Sequence, residues 1–213
     1  MLITVLGFGL PAFAVDFYDA EIIIFRQLDS LGDAEELNIP RERHVNLHLE
    51  LESLLQSAIT ISLEPAIEGY LASLSQRLRV SRNYEILFHG RWSQTTSDRK
   101  KSPHVLINLP AIKDQTHSMA GILHLFSTDL LYIDTLLRYR PEKELFVQNK
   151  DSSEENAIRP YYFIKERRRI KFQEVHFFDH PKFGAILTVW PIKLPELLEL
   201  TEKSHPNRQA ETP

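Results

Sequence analysis

Cysteine is absent from the 213-residue chain, and its absence excludes several kinds of chemistry. Without thiols there are no disulfides, no C-x-x-C redox motif, no thiolate zinc site and no lipid attached through cysteine. Glycine is scarce, with only 7 residues, and no glycine-rich phosphate-binding loop occurs. A G-x-S-x-G nucleophile elbow is also missing. The sequence therefore gives no positive sign of catalysis, and we predict a protein that is not an enzyme.

An excess of basic residues is lacking as well. Lys and Arg together number 25 against 29 for Asp and Glu, which gives a net charge of −4 and argues against a generally basic nucleic-acid binder. Hydrophobic residues make up 43%, an ordinary share for a globular protein. Composition therefore predicts a folded chain of 24.8 kDa without naming its function.

The N-terminal segment is apolar but too short to span a bilayer as a helix, which needs about 20 residues. Leu2–Ala14 is uncharged and ends in Ala-Phe-Ala, a site of the kind that signal peptidase cuts. We predict a signal peptide at 1–14 and an exported mature chain from Val15. The segment has no Lys or Arg after Met1, although a signal peptide usually begins with positive charge. The alternative is that this segment is a buried N-terminal strand of the fold.

Most of the mature chain has the pattern of strands. The segment 17–26 alternates and contains three successive isoleucines, which predicts a central, buried strand. Further strands are predicted at 84–92, 105–109, 121–126, 161–172, 174–178 and 185–190, and the weakly periodic segment 130–139 can continue as one.

Helical patterns are fewer. Pro65 suits the first turn of a helix, and Ile67, Leu71, Leu74 and Leu78 follow at helical spacing. A short helix is predicted from Pro195, whereas 45–51 fits either a strand or a helix.

The predicted fold class is α+β: a single domain with a mainly antiparallel sheet, one principal packed helix and a short C-terminal helix. We expect this domain to cover 15–203, with 29–66 as a variable excursion and 204–213 as a polar tail.

One predicted strand concentrates positive charge in this acidic chain. Period-two alternation places Lys165, Arg167, Arg169 and Lys171 on one face, with Arg168 on the other. Arginine binds carboxylates through two parallel hydrogen bonds, so this strand is a candidate surface for an anionic partner. The alternative is a solvated face whose charges are paired with scattered Glu residues.

The next strand and turn bring together acids and imidazoles. Glu174, His176, Asp179 and His180 are residue types that bind metals or transfer protons. Their spacing is not that of a helical H-E-x-x-H, and the structural interpretation is an Asp turn cap and a hydrogen-bonded His. We predict neither a metal nor a cofactor. A competing hypothesis is an envelope hydrolase that uses one or more of these residues, with or without a zinc ion.

The strand at 84–92 carries an aromatic face. The residues predicted to share this face are Tyr84, Ile86, Phe88 and Trp92, and those on the other face include His89 and Arg91. Aromatic side chains at this spacing can stack on sugars, although they more often fill a core.

Three segments together resemble one known family. They are Ile22–Gln27, Asn83–Gln94 and Arg168–Gly184, and the most specific is Glu174-x-His-x-x-Asp-His-Pro-x-Phe-Gly184. The chain resembles the CsiV family, periplasmic peptidoglycan-binding proteins of gammaproteobacteria. The resemblance implies a non-enzymatic protein that binds peptidoglycan and supports cell-wall synthesis by modulating a class A penicillin-binding protein. The partners it implies are peptidoglycan, this synthase and the outer-membrane lipoprotein activator of the synthase.

The basic strand, its neighbours and the resemblance predict one set of ligand-binding residues: Lys165, Arg167, Arg168, Arg169, Lys171, Glu174, His176, Asp179, His180, His89, Arg91 and Trp92. Carboxylates on the peptides of peptidoglycan and the apolar faces of its sugars suit such residues. The alternative function is a periplasmic protein–protein adaptor without direct wall binding.

Overall fold

Two five-stranded sheets pack face to face, and a helix lies on the outer face of each. The computed structural model describes residues 17–28, 41–57, 60–61, 63–66, 68–95, 97–109, 118–141, 145–148, 155–158 and 161–192. The predicted signal peptide, the C-terminal helix from Pro195 and the polar tail lie outside these ranges.

Within the described ranges the elements follow in this order: β1 (Phe17–Gln27), α1 (Arg41–Ser57), β2 (Thr60–Ile61), β3 (Glu64–Pro65), α2 (Ala72–Val80), β4 (Tyr84–Thr95), β5 (His104–Leu109), β6 (Ser118–Ser127), β7 (Leu131–Arg140), β8 (Leu145–Gln148), β9 (Glu155–Ile158), β10 (Tyr162–Arg169), β11 (His176–His180) and β12 (Phe183–Ile192).

The strand order of the first sheet is β11-β12-β1-β4-β3, and that of the second is β10-β7-β6-β5-β2. All these pairs are antiparallel except β2 with β5. Strands β8 and β9 form a separate two-stranded ribbon. The predicted α+β class with mainly antiparallel pairing is therefore confirmed.

The main core lies between the two sheets. Strand β1 is buried on both faces, as its isoleucine run predicted: Ile22 and Ile24 point into the inter-sheet core, and Ile23 points to the outer face of the first sheet. The second sheet contributes Leu123 and Ile133 to the same core. Burial on both faces makes β1 the centre of the molecule.

Helix α1 settles the segment that the sequence left ambiguous. Its Leu47, Leu51 and Leu54 recur at helical spacing and pack on the outer face of the second sheet. Val45 and Leu49, which a strand would place on the same face as Leu51, are exposed. The domain therefore has a second packed helix, and this helix lies within the region predicted to be a variable excursion.

Helix α2 starts later than predicted. Glu64 and Pro65 pair with β4 as a short edge strand, a position that proline tolerates because its missing N–H costs no ladder bond there. The helix begins at Ala72, and Leu71, Leu74 and Leu78 pack against the outer face of the first sheet as the stripe predicted.

A register shift in β4 corrects the predicted aromatic face. Ile24 pairs with Phe88 whereas Phe25 pairs with Ile86, so one extra residue is accommodated in β4. Beyond this bulge the alternation is reversed. Ile86 therefore lies on the α2 side, and Phe88 and Trp92 belong to the inter-sheet core.

Candidate functional site

The outer face of the second sheet has two different halves. Helix α1 packs on one half, over Ala120, Ile122 and Leu136. The other half carries polar and aromatic side chains, which we call the open face. It consists of Arg99, from the β4–β5 connection, and the strand residues His104, His124, Phe126, Tyr132, Asp134, Arg167 and Arg169.

Strand register lines these side chains up in rows. His124 of β6 is opposite Asp134 of β7, which is opposite Arg167 of β10. Phe126 and Tyr132 are paired in the next row, and Arg169 follows Tyr132. Because paired residues in a sheet point to the same side, the open face forms from strands that are distant in sequence.

Asp134 holds two arginines at the centre of the open face. Arg167 donates to Asp134 through Nε at 2.6 Å and Nη2 at 2.9 Å, and Arg99 donates through Nε at 3.1 Å and Nη2 at 2.7 Å. Burial raises the pKa of Asp134, but hydrogen bonds from Arg167 and Arg99 outweigh this effect and leave the pKa below its ordinary value. The same contact raises the pKa of Arg167. The carboxylate therefore stays ionised and fixes both guanidinium groups.

Phe126 forms the apolar support beneath these arginines. The guanidinium carbons of Arg99 and Arg167 each lie 5.6 Å from its ring centroid. This is cation–π distance, and the two arginines cover the ring so that only 3% of Phe126 is exposed.

Two stacked imidazoles adjoin Asp134. The rings of His104 and His124 are 4.0 Å apart, and His124 Nε2 lies 3.2 Å from the carbonyl oxygen of Ser102. Burial, followed by repulsion from His104, lowers the pKa of His124 to about 4. Burial and Arg99 lower the pKa of His104. Both imidazoles are therefore neutral at pH 7.

A cavity of about 520 Å³ opens between α1 and the open face. Glu50 and Leu54 line its helix side, and Arg99, His124 and Arg167 line its sheet side. This volume is typical of cavities that accept small ligands.

The predicted basic strand is real, but most of its cations are paired. Lys165, at the border of the open face, contacts Glu50 of α1 at 2.6 Å, and Arg167 contacts Asp134. Lys171 lies beyond the end of β10, 3.3 Å from Glu174. Arg169 is exposed and makes no ion pair within the described part of the chain. This pairing agrees with the alternative interpretation, a solvated face whose charges are paired with acidic residues. Arg169 is the exception.

The other predicted residues of this region lie at the corner between the two sheets. Arg168 faces away from the open face, donates to Glu166 and the carbonyl of Phe177, and covers the ring of Phe178 at 4.6 Å. His176 is buried, with Nε2 at 3.2 Å from the backbone N and O of Lys171. Both contacts hold β10 and β11 together at the reversal.

His180 and Asp179 line a second cavity, of about 270 Å³, beside the start of α1. Burial, followed by repulsion from Lys182 and His44, lowers the pKa of His180 to about 4. Its Nδ1 accepts a hydrogen bond from the backbone N–H of Lys182 at 3.2 Å, so the imidazole also has the structural role of holding the turn.

His89 and Arg91 lie on the opposite side of the molecule, on the outer face of the first sheet. His89 contacts the fully buried Glu21 at 2.5 Å, and Arg91 forms an ion pair with the fully buried Asp19. Arg91 also covers Tyr70, whose ring stacks on Trp190 with 4.3 Å between centroids. Both predicted residues therefore compensate buried carboxylates.

Trp92 lies in the inter-sheet core and is only 3% exposed. Its indole N–H donates to Gln94 at 2.9 Å. A side chain enclosed by the core packs and does not stack on an external sugar, so we do not retain Trp92 in the candidate surface.

The twelve predicted residues thus lie in five places, and the open face contains several residues that the sequence analysis missed. They are Arg99, His104, His124, Phe126, Tyr132 and Asp134. One signal was present: His124 is a polar residue in the otherwise apolar run 119–126 of β6. A polar residue inside a buried strand usually has a specific partner, but the pattern does not identify it.

Among the residues that the structure describes, no group of three or more His, Asp or Glu side chains could hold a metal ion. Nor does this part of the chain contain a helix long and apolar enough to cross a membrane.

The exposed arginines make the open face suited to anionic ligands.

Comparison with protein families agrees with this character. Residues 1–192 match the model of the CsiV family, described as a peptidoglycan-binding protein. The match covers most of the chain, which therefore belongs to the CsiV family. No curated protein and no solved structure matched the chain.

Proposed function

We propose that this protein binds peptidoglycan through the open face and has no catalytic role. The observation that carries the proposal is the charge of this face in a chain of net charge −4. The open face carries three guanidinium groups, on Arg99, Arg167 and Arg169, and one carboxylate, on Asp134, and both imidazoles are neutral at pH 7. Two net positive charges are thus available to an anionic polymer, and membership of the CsiV family identifies peptidoglycan as that polymer.

Co-sedimentation with purified sacculi tests the proposal. We expect the full chain to be retained and the variant Arg167→Ala/Arg169→Ala to be retained less, because screened electrostatic attraction is lost. The matched control is Arg77→Ala/Arg82→Ala, which removes the same charge from exposed positions at α2, on the opposite side of the molecule. A chain that remains in the supernatant at low salt would contradict the proposal, as would equal loss of retention in both variants.

Two further parts of the proposal concern location and partners. The apolar segment 1–14 acts as a signal peptide, so the mature protein begins at Val15 in the periplasm. Mass measurement of the protein from a periplasmic extract checks this, and a chain that still carries residues 1–14 would contradict it.

The wall-bound protein then modulates a class A penicillin-binding protein. A glycan-polymerisation assay with purified synthase, its lipoprotein activator and the Arg167→Ala/Arg169→Ala variant separates two possibilities. Modulation that survives loss of wall retention favours the adaptor function over direct wall binding.

A further inference from the structure

We propose that the open face recognises the carboxylates of the stem peptides, not the glycan strands, and that Asp134 is a positioning residue for this recognition. This inference rests on the proposed function and names the part of the polymer that is bound.

Asp134 engages only one edge of each guanidinium group. Arg99 and Arg167 both contact it through Nε and Nη2, and their Nη1 groups make no hydrogen bond within the described part of the chain. The side chains of Arg99 and Arg167 are 56% and 53% exposed, whereas that of Asp134 is 23% exposed. Asp134 therefore holds the inner edges of both arginines and leaves their outer edges directed to a ligand. An outer Nη1–Nη2 edge can still donate two parallel hydrogen bonds to a carboxylate.

The aromatic rings of the open face are poorly placed to stack on sugars. Phe126 is covered by Arg99 and Arg167 and is 3% exposed. Tyr132 is partly buried and stacks on Phe126, with 5.9 Å between ring centroids. Recognition at this surface is consequently left to the guanidinium groups.

Arg169 extends the surface along β10. It lies two residues from Arg167 on the same side of the strand, a separation of about 7 Å. It has neither a carboxylate partner nor a hydrogen bond within the described ranges. Stem peptides carry more than one free carboxylate, so Arg169 can contact one group while Arg99 and Arg167 hold another. The adjoining cavity of about 520 Å³ has room for a few peptide residues.

Three wall preparations test the ligand assignment on the full chain. They are intact sacculi, sacculi stripped of stem peptides by an amidase, and sacculi whose carboxylates have been converted to amides. We expect at least about tenfold weaker binding to both treated preparations, since charge-assisted hydrogen bonds are lost. Equal binding to intact and stripped walls overturns the inference but leaves peptidoglycan binding in place. Failure to bind intact sacculi overturns the proposed function itself.

Asp134→Asn tests the positioning role, because simple electrostatics predicts the opposite result. Neutralising Asp134 raises the positive charge of the open face by one, so tighter retention on intact sacculi would overturn the role. We expect weaker retention and a smaller preference for intact over amidated walls, since both arginines lose their shared anchor. Arg99→Lys/Arg167→Lys keeps the charge and removes the paired donors; if Asp134→Asn fails to fold, an undiminished preference in this second variant overturns the inference.

Discussion

Lowering the pH from 7.5 to 5 should destabilise the fold through His124. Its pKa is about 4 in the folded protein and returns to the ordinary 6.5 on unfolding. Between these two values the unfolded chain binds a proton that the folded chain does not, so stability falls as pH falls from 6.5 towards 4. At pH 5 the medium is 1.5 units below the unfolded pKa, and at about 1.4 kcal/mol per unit the loss is about 2 kcal/mol. His124 is buried, so solvent screening does not reduce this figure much.

Urea unfolding at pH 7.5 and pH 5, at constant ionic strength, measures this effect. The variant His124→Gln has no titrating group there, yet it keeps an N–H that can donate to the carbonyl of Ser102. We expect the wild-type protein to lose about 2 kcal/mol more than the variant between the two pH values. His180 also has a lowered pKa of about 4 and adds a similar loss to both proteins, which cancels in the comparison. If wild type and variant lose the same stability, the reasoning is refuted.

Two further predictions concern packing and buried charge, and urea unfolding at neutral pH measures both. Leu51→Ala should cost about 2–5 kcal/mol of stability because the Leu51 side chain is fully buried between α1 and the sheet. Leu49 lies on the same helix but is 60% exposed, so Leu49→Ala should change stability by less than about 0.5 kcal/mol. Similar effects of the two substitutions would contradict the packing of α1. His89→Ala should cost about 1–3 kcal/mol because it deprives the buried Glu21 of a hydrogen-bond partner, whereas Lys101→Ala, which breaks the exposed pair with Asp98, should cost less than about 0.5 kcal/mol. A cost for His89→Ala as small as that for Lys101→Ala would mean that Glu21 is not held by this hydrogen bond.

The candidate site was only partly predictable. Alternation alone put Lys165, Arg167 and Arg169 on one side of β10, and they do share that side. It could not identify Asp134 and Arg99, which lie 33 and 68 positions before Arg167, because register between distant strands is set by how the whole sheet assembles. The sequence alone suggests a row of free cations. The ion pairs with these neighbours hold the cations of β10 in fixed positions and neutralise part of their charge.

The sequence alone determined the α+β class, the buried character of β1 and the apolar stripe of α2, because each follows from hydrophobic periodicity along a short stretch. It also excluded all thiol chemistry. Tertiary structure decided that 41–57 is a helix, that a bulge in β4 reverses its faces and that His124, Asp134 and Arg167 meet in one row. Each of these depends on contacts between segments far apart in the chain, and such contacts leave no local pattern in the sequence.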